Sequence, residues 1–488
     1  MKKILHIFIC LTALLAATAC GPKGVDITRF GLADAVIAAD LGELPQDLTV
    51  YAERAGKDTQ LMDPARQGRE DARFNERFFA AWDPNIPLLP EAEVFEGLKN
   101  MSPAKGFAEN LRPYPKDRWD ALVANCAMDS YGAKPPRPAI TLGTAHLRRM
   151  PTDAPYFLDP GKGGEGFPFD YMQNSTLWVG TPVAVTHVSH DGLWVFVQTS
   201  LVSGWTRAAN LAAVDKKFIT AWRAQPLAVI VQDAAQLAVS AGNADAVTGC
   251  RVVVEANLGT VLPLVTVNGS LRVAKSPHVF VHVPLRSPDG KAIMATAFAP
   301  MYGTRQKPLR LTPMNVALVG NAMMGQPYGW GGLYGQRDCS AAMHDLFAPF
   351  GIWFPRNSSL QGRLGRRLDL SGLTPDAKEE RILRDGTPFF SLVSLRGHVG
   401  LYLGAYPKRF EKETRDVPVM FHNLWGLRVV SGWGGNKQEG RGVIGKAVVT
   451  TLRPGAEHTT LSSPASILDR ITGLAILPEP LPGERENR

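Results

Sequence analysis

Cys339 follows Asp338 and precedes Ser340, and it opens the run CSAAMHDLFAPFG, in which Met343, Leu346, Phe347 and Phe350 recur at helical spacing. A cysteine in the first turn of a helix meets unsatisfied backbone N–H groups and the positive end of the helix dipole, which favour a thiolate. A sulfur that attacks a carbonyl also needs an imidazole to move protons and a third polar group to orient that imidazole. His398 opens HVGLYLG, 59 residues further on. Strand alternation there puts His398, Gly400 and Tyr402 on one face and Val399, Leu401 and Leu403 on the other. Glycine at 400 leaves room beside the ring. In VPVMFHNLW the same alternation puts Met420, His422 and Leu424 on one face and Asn423 on the other. Only one of His422 and Asn423 can then point at His398, and His422 is chosen. Taken singly, a cysteine at a helix start is usually packed core and a strand histidine usually structural. Cysteine, histidine and a third polar residue in this order, beside a glycine-rich loop, point to nucleophilic catalysis.

The elements that position these residues are legible on either side. TPMNVALVGNAMMGQ reads as an amphipathic helix, PYGWGGLYGQRD as a loop, CSAAMHDLFAPFG as a second helix, and HVGLYLG, VPVMFHNLW and GVIGKAVVTTL as strands. A helix presenting its first residue to an antiparallel sheet is an α+β arrangement. Upstream, about 60–136 has helical periodicity and ends at KPPRP, whose prolines mark a linker. From about 140 to 215 the period becomes two, with TPVAVTHVS, an HDG turn and LWVFVQT. A second region of strands is expected from about 217 to 300, with a Val-Asn-Gly-Ser hairpin turn at 267–270. Two successive units of short strands suggest a pair of small SH3-like β-barrels.

The chain of 488 residues begins MKKILHIFICLTALLAATAC, two lysines and an apolar run ending in small residues at Cys20. This reads as a cleaved secretory signal, and the small residues before Cys20 resemble a bacterial lipobox, which implies lipid attachment at that cysteine and an envelope location facing the periplasm. No later stretch is long and apolar enough to span a bilayer. Of five cysteines, Cys10 goes with the signal and Cys20 to lipid, leaving Cys126, Cys250 and Cys339, too few for a disulfide scaffold. Cys126 and Cys250 are free to pair or to stay reduced. A net charge of +8 without a basic run or interleaved aromatics excludes a nucleic-acid partner.

PYGWGG, then DCS heading a helix, RNSSLQ, GHVGLYLG and a later polar strand residue together resemble the NlpC/p60 family of papain-like cell-wall cysteine peptidases. The resemblance spans about the last 165 residues. It implies Cys339 as nucleophile, His398 as base, His422 as orienter, and Tyr328 as an aid to the Cys339 N–H in binding the oxyanion. Relatives with an N-terminal bracing segment and two SH3-like domains resemble the whole chain, the first barrel walling one end of the cleft. The implied substrate is a peptidoglycan stem peptide or muropeptide, cut between γ-D-glutamate and a diamino acid. Asp338 and Ser358 match positions that hold the free amine of its N-terminal alanine. Asp338 also reads as a helix N-cap and Ser358 as a turn hydroxyl. Some relatives carry a tyrosine before the Gly-Trp of the first barrel, where LVSGWT has none, which leaves a glycan-bearing peptide as an alternative substrate.

The expected divisions are a signal at 1–19, a lipid-proximal and helical region at 20–136, barrels at 137–215 and 216–305, a peptidase domain at 306–475 and a tail at 476–488. No cofactor or metal is expected. The histidines of HVSH at 187–190 and HVFVH at 278–282 lack a cysteine or carboxylate to complete a metal set and read as hairpin surface residues. PGKGGEG at 160–166 lacks the Gly-Lys-Ser/Thr of a phosphate-binding loop. The competing readings are a noncatalytic wall-binding protein, which the intact Cys339, His398 and His422 argue against, and an acyltransferase or amidase on the same framework.

Overall fold

The computed structural model describes residues 39–162, 164–239, 252–265, 278–410, 413–431, 438–456 and 466–477. The expected signal, Cys20, Cys250 and the turn at 267–270 lie outside the described residues. The fold is α+β and multidomain.

The N-terminal segment braces the rest. Its longest helix, Pro64–Phe79, starts where Asp63 accepts the Arg66 N–H and proline takes the first turn, both good helix starters. Gln67 on this helix donates to Leu309 O at 2.6 Å and Phe350 O at 3.0 Å. Phe74 meets Trp353 edge-on at 5.2 Å. Just beyond, the Trp82 indole donates to Ala139 O at 2.8 Å in the first β unit.

That unit is a seven-stranded sheet from Arg137–Thr141 to Leu211–Ala213, with Arg137–Thr141 paired to both Pro182–Val188 and Leu211–Ala213. His187, expected on the surface, is buried, its ring 2.9 Å from Cys126 O and edge-on to Trp205 and Tyr131. The strand is covered by the N-terminal segment on the face that alternation alone leaves open. Cys126 itself is a buried free thiol.

The second β unit has a four-stranded and a three-stranded sheet around a shared core that includes Ile230, Leu237, Val281 and Ala297. Strands were expected from about 217, but Lys216–Arg223 is a helix. Asp215 caps it through the Phe218 N–H, and Phe218 and Trp222, one turn apart, stack at 5.2 Å inside the core.

The C-terminal unit is a six-stranded antiparallel sheet in the order Arg366–Asp369, Ile471–Ile476, Ser391–Leu395, His398–Arg409, Thr414–Ser431, Gln438–Thr451. The first three of these strands are additional to those read from sequence. Val399, Leu401, Leu403 and Phe421 enter the core that also takes Met343, Leu346 and Phe347 of the helix Cys339–Phe347, whereas Tyr402, Met420 and Leu424 enter a second core. Each fully buried side chain of this kind contributes about 1.5–3 kcal/mol, so the helix is held by its buried side chains.

Arg337, two residues before Cys339, is fully buried and uses all five N–H donors. Its Nε reaches Asp345 at 2.6 Å, Nη1 reaches Asp233 at 2.7 Å and Gln326 at 3.1 Å, and Nη2 reaches Asp233 at 2.8 Å and Leu258 O at 2.9 Å. Asp233 and Leu258 belong to the second β unit, Gln326 and Asp345 to the C-terminal unit. Removing a buried guanidinium leaves two carboxylates without their counter-charge, at a cost of about 3–5 kcal/mol. Arg337→Met is therefore expected to lower the urea midpoint of unfolding strongly; a midpoint equal to that of the unaltered protein would show that the network holds nothing together.

Candidate active site

Cys339 is the first residue of its helix, and Asp338 is the N-cap, accepting the Ala341 N–H at 2.9 Å. The sulfur lies against the turn that carries His398, with Gly397 O at 4.0 Å and the Val399 N–H near enough to favour its anion. His398 opens its strand, and its Nε2 is 2.8 Å from Nδ1 of His422 on the neighbouring strand. Gly400 makes room for this approach, since a Cβ there would stand 3.0 Å from the His422 Cβ and 3.1 Å from Phe421 O, tight enough that a neighbour would have to shift. Asn423 points the other way and donates to Arg337 O at 2.7 Å. Cys339, His398 and His422 are thus brought together.

The loop before the helix is built against the first β unit. Gly331 and Gly332 have positive φ, and a Cβ on Gly332 would come within 2.4 Å of the Thr176 hydroxyl. Gln173 donates to Gly331 O at 2.9 Å and Thr176 to Gly332 O at 2.9 Å. Trp330 donates to Asp170 O at 3.1 Å and meets Phe169 edge-on at 5.1 Å, while Trp425 lies 5.9 Å from both Phe169 and Tyr328. An aromatic wall made by both units therefore flanks the site. Burial, reinforced by the charge of Asp338, holds the Tyr328 phenol well above the ordinary range, protonated and able to donate.

Asp338 differs from its sequence expectation. Its Oδ1 accepts from Arg356 Nη1 at 3.0 Å, Ser340 at 3.1 Å and the Ala341 N–H at 2.9 Å, and its Oδ2 from Arg356 Nη2 at 2.7 Å and the Gly331 N–H at 3.1 Å. A carboxylate offers about four acceptor sites, so none remains for a substrate ammonium, and Arg356 already neutralises the charge. The helix cap is present, and the carboxylate expected to meet the substrate amine is occupied by Arg356. Ser358, half-buried in the first turn of Ser358–Gln361, stays open to a ligand. Sequence reasoning passed over Arg356, although it begins the RNSS run, because an arginine beside a loop is ordinarily solvated. Among the described residues no cluster of side chains could hold a metal.

Charge at the site also departs from expectation. Burial, reinforced by Asp338, pushes the Cys339 thiol up to about 12, against the opposing pull of the Val399 N–H, Arg356 and the Ser340 N–H. Burial, reinforced by the Arg470 charge, pulls His398 down to about 4, and burial with the neighbouring His398 holds His422 well below its ordinary value. The resting pair is a neutral thiol and a neutral imidazole, so the helix N-terminus does not by itself supply a thiolate.

Since the folded His398 titrates at about 4 and the free side chain at 6.5, the unfolded chain takes up this proton first. The corresponding stability is complete above about pH 6.5 and is lost as pH falls towards 4. The acid limb of kcat/KM is expected near pH 4, and Arg470→Gln, which removes a repelling charge, is expected to move it upward. A pH–rate profile with its limb at 6.5 in both proteins would contradict this assignment.

Residues 7–131 match the NLPC_P60 stabilising domain, residues 155–207 an SH3 domain of the SH3b1 type, and residues 325–430 the NlpC/P60 family. Among solved structures, an NlpC/P60 endopeptidase from Photobacterium damselae subsp. piscicida superposes with a TM-score of 0.76 at 24% identity, over 90% of this chain and 98% of that one. An NlpC/P60 family protein from Bacillus cereus ATCC 10987 is similar at a TM-score of 0.42 and 17% identity, over 70% of this chain and 100% of its own. No curated protein matches the sequence. The first of these structures shares the fold across nearly its whole length, and the three matched segments follow one another in the order bracing segment, SH3 domain, peptidase. Residues 325–430 therefore form an NlpC/P60 domain, and the chain that carries it is a cysteine-type cell-wall peptidase.

Proposed function

We propose that the chain hydrolyses the bond between γ-D-glutamate and the L-centre of a diamino acid, meso-diaminopimelate, in wall peptides, with Cys339 as nucleophile and His398 as base. The observation that carries this reading is the 2.8 Å His398–His422 contact beside the capped Cys339 helix. His398 takes the thiol proton as sulfur attacks the γ-carbonyl. The C–N bond then breaks, and the same proton goes to the departing amine. Water, deprotonated by His398, next attacks the thioester and releases the γ-carboxyl and the thiol. Tyr328 and the Cys339 N–H are the proposed donors to the oxyanion.

With Asp338 filled, the reading favours a site indifferent to a free amine at the N-terminal alanine, Ser358 being the remaining polar contact. Losing a charge-assisted hydrogen bond would cost about 1.5–3 kcal/mol, roughly 10–100-fold in rate. Acetylating that alanine is instead expected to change kcat/KM by less than about threefold, and a muramyl peptide should be cut as well. Mass spectrometry of free, acetylated and muramyl tripeptides measures this, and a tenfold loss on acetylation would restore amine recognition.

Cys339→Ala is expected to abolish cleavage without unfolding the chain, and His422→Ala to slow it less than His398→Ala. Full turnover by the Cys339 variant would end the mechanism, and a larger loss for Asn423→Ala would move the orienting role to Asn423. We further infer a lipid anchor at Cys20, supported by the small residues preceding it, which places the enzyme on a membrane facing the periplasm. The mass of the mature N-terminal peptide checks this.

A further inference from the structure

Thr450, on the strand Gln438–Thr451, is buried beneath His422. Its hydroxyl lies 2.7 Å from Thr451 O and 3.1 Å from His422 Nε2. A carbonyl oxygen can only accept, so the single hydroxyl proton points to Thr451 O. Facing His422, the hydroxyl therefore has only a lone pair to offer. His422 must then carry its proton on Nε2, which leaves Nδ1 bare. The bare Nδ1 faces His398 Nε2 at 2.8 Å, so His398 in turn carries its proton on Nε2. The nitrogen that results without a proton is His398 Nδ1, the one a neutral base needs.

We propose that Thr450 is a positioning residue for catalysis, acting through His422 to hold His398 in the tautomer whose Nδ1 accepts the thiol proton. This inference rests on the reading of His398 as base. Burial keeps His422 neutral, so it has one proton, and which nitrogen bears it is decided by Thr450. Without that hydroxyl, a proton on His422 Nε2 would be buried with no acceptor. The other tautomer satisfies His422 by donating from Nδ1 to His398 Nε2, and that moves the His398 proton to Nδ1. The chain of hydrogen bonds then runs in reverse and the base is occupied.

The test compares Thr450→Val, which keeps the shape and removes the hydroxyl, with Thr450→Ser, which keeps the hydroxyl, in the full chain. Nitrogen-15 spectra of the histidine rings report the tautomers, and kcat and KM for a wall tripeptide report the effect. Thr450→Val is expected to lower kcat about 10–100-fold with little change in KM and to shift the His398 and His422 signals to the Nδ1–H form. Thr450→Ser is expected to restore both to within about threefold. If valine at this site prevents folding, Thr450→Ala removes the same acceptor and is read in the same way. A folded Thr450→Val or Thr450→Ala protein with unaltered kcat and unaltered ring signals would overturn the inference. His398→Ala, measured alongside, separates the two levels: full activity there removes the base assignment and this inference with it, whereas an inactive His398→Ala with a silent Thr450→Val removes only the role of Thr450.

Discussion

The buried guanidinium of Arg337 is the constraint from which the rest follows. An arginine cannot lose its proton inside a protein, so a fully buried one must find a partner for each N–H, and Arg337 finds them on two separate units. Its own carbonyl accepts from Gly329 N–H at 2.9 Å and from Asn423. The residue thus ties the glycine-rich loop, the sheet and the second β unit to one point, two positions before the thiol. A charge that is costly to bury fixes the start of the helix more firmly than apolar packing alone, which tolerates sliding.

The electrostatics of the site are decided by burial and not by the helix dipole. A helix N-terminus contributes on the order of 0.3–1 kcal/mol to a nearby anion, up to about 2 in buried geometries, whereas taking a thiolate out of water costs more. Asp338 adds a second negative charge nearby, offset by Arg356. The thiol rests protonated and the imidazole neutral. A buried neutral thiol of this kind is quiet towards stray electrophiles.

Much of this was legible in the sequence, for reasons that differ by residue. Period-two alternation around His398 and His422 identified the face each ring uses, because a strand has only two faces. The packing of Met343, Leu346 and Phe347 followed from helical spacing. The helix Lys216–Arg223 was missed because a short segment between strands takes on their reading, and its Phe-Trp pair one turn apart was the overlooked signal. The burial of His187 and the filling of Asp338 were not legible, since both depend on residues distant in sequence, the N-terminal segment in one case and Arg356 in the other. Thr450 is a similar case: nothing local marks it, and its relation to His422 exists only through strand register.

The contact of Gly331 and Gly332 with Gln173 and Thr176 bears on how such a chain can diversify. Modular proteins change specificity by exchanging domains whose borders are solvent-filled and whose mutual fit is loose. Here the border is a backbone laid against a strand so closely that even a methyl group is excluded. The first β unit and the loop preceding Cys339 are therefore fitted to each other as a pair. A barrel transplanted from a relative would bring its own strand profile against a loop shaped for another, and the mismatch would be felt first at the thiol. Evolution of this lineage is then expected to proceed by matched substitutions across that seam and not by reshuffling of its parts.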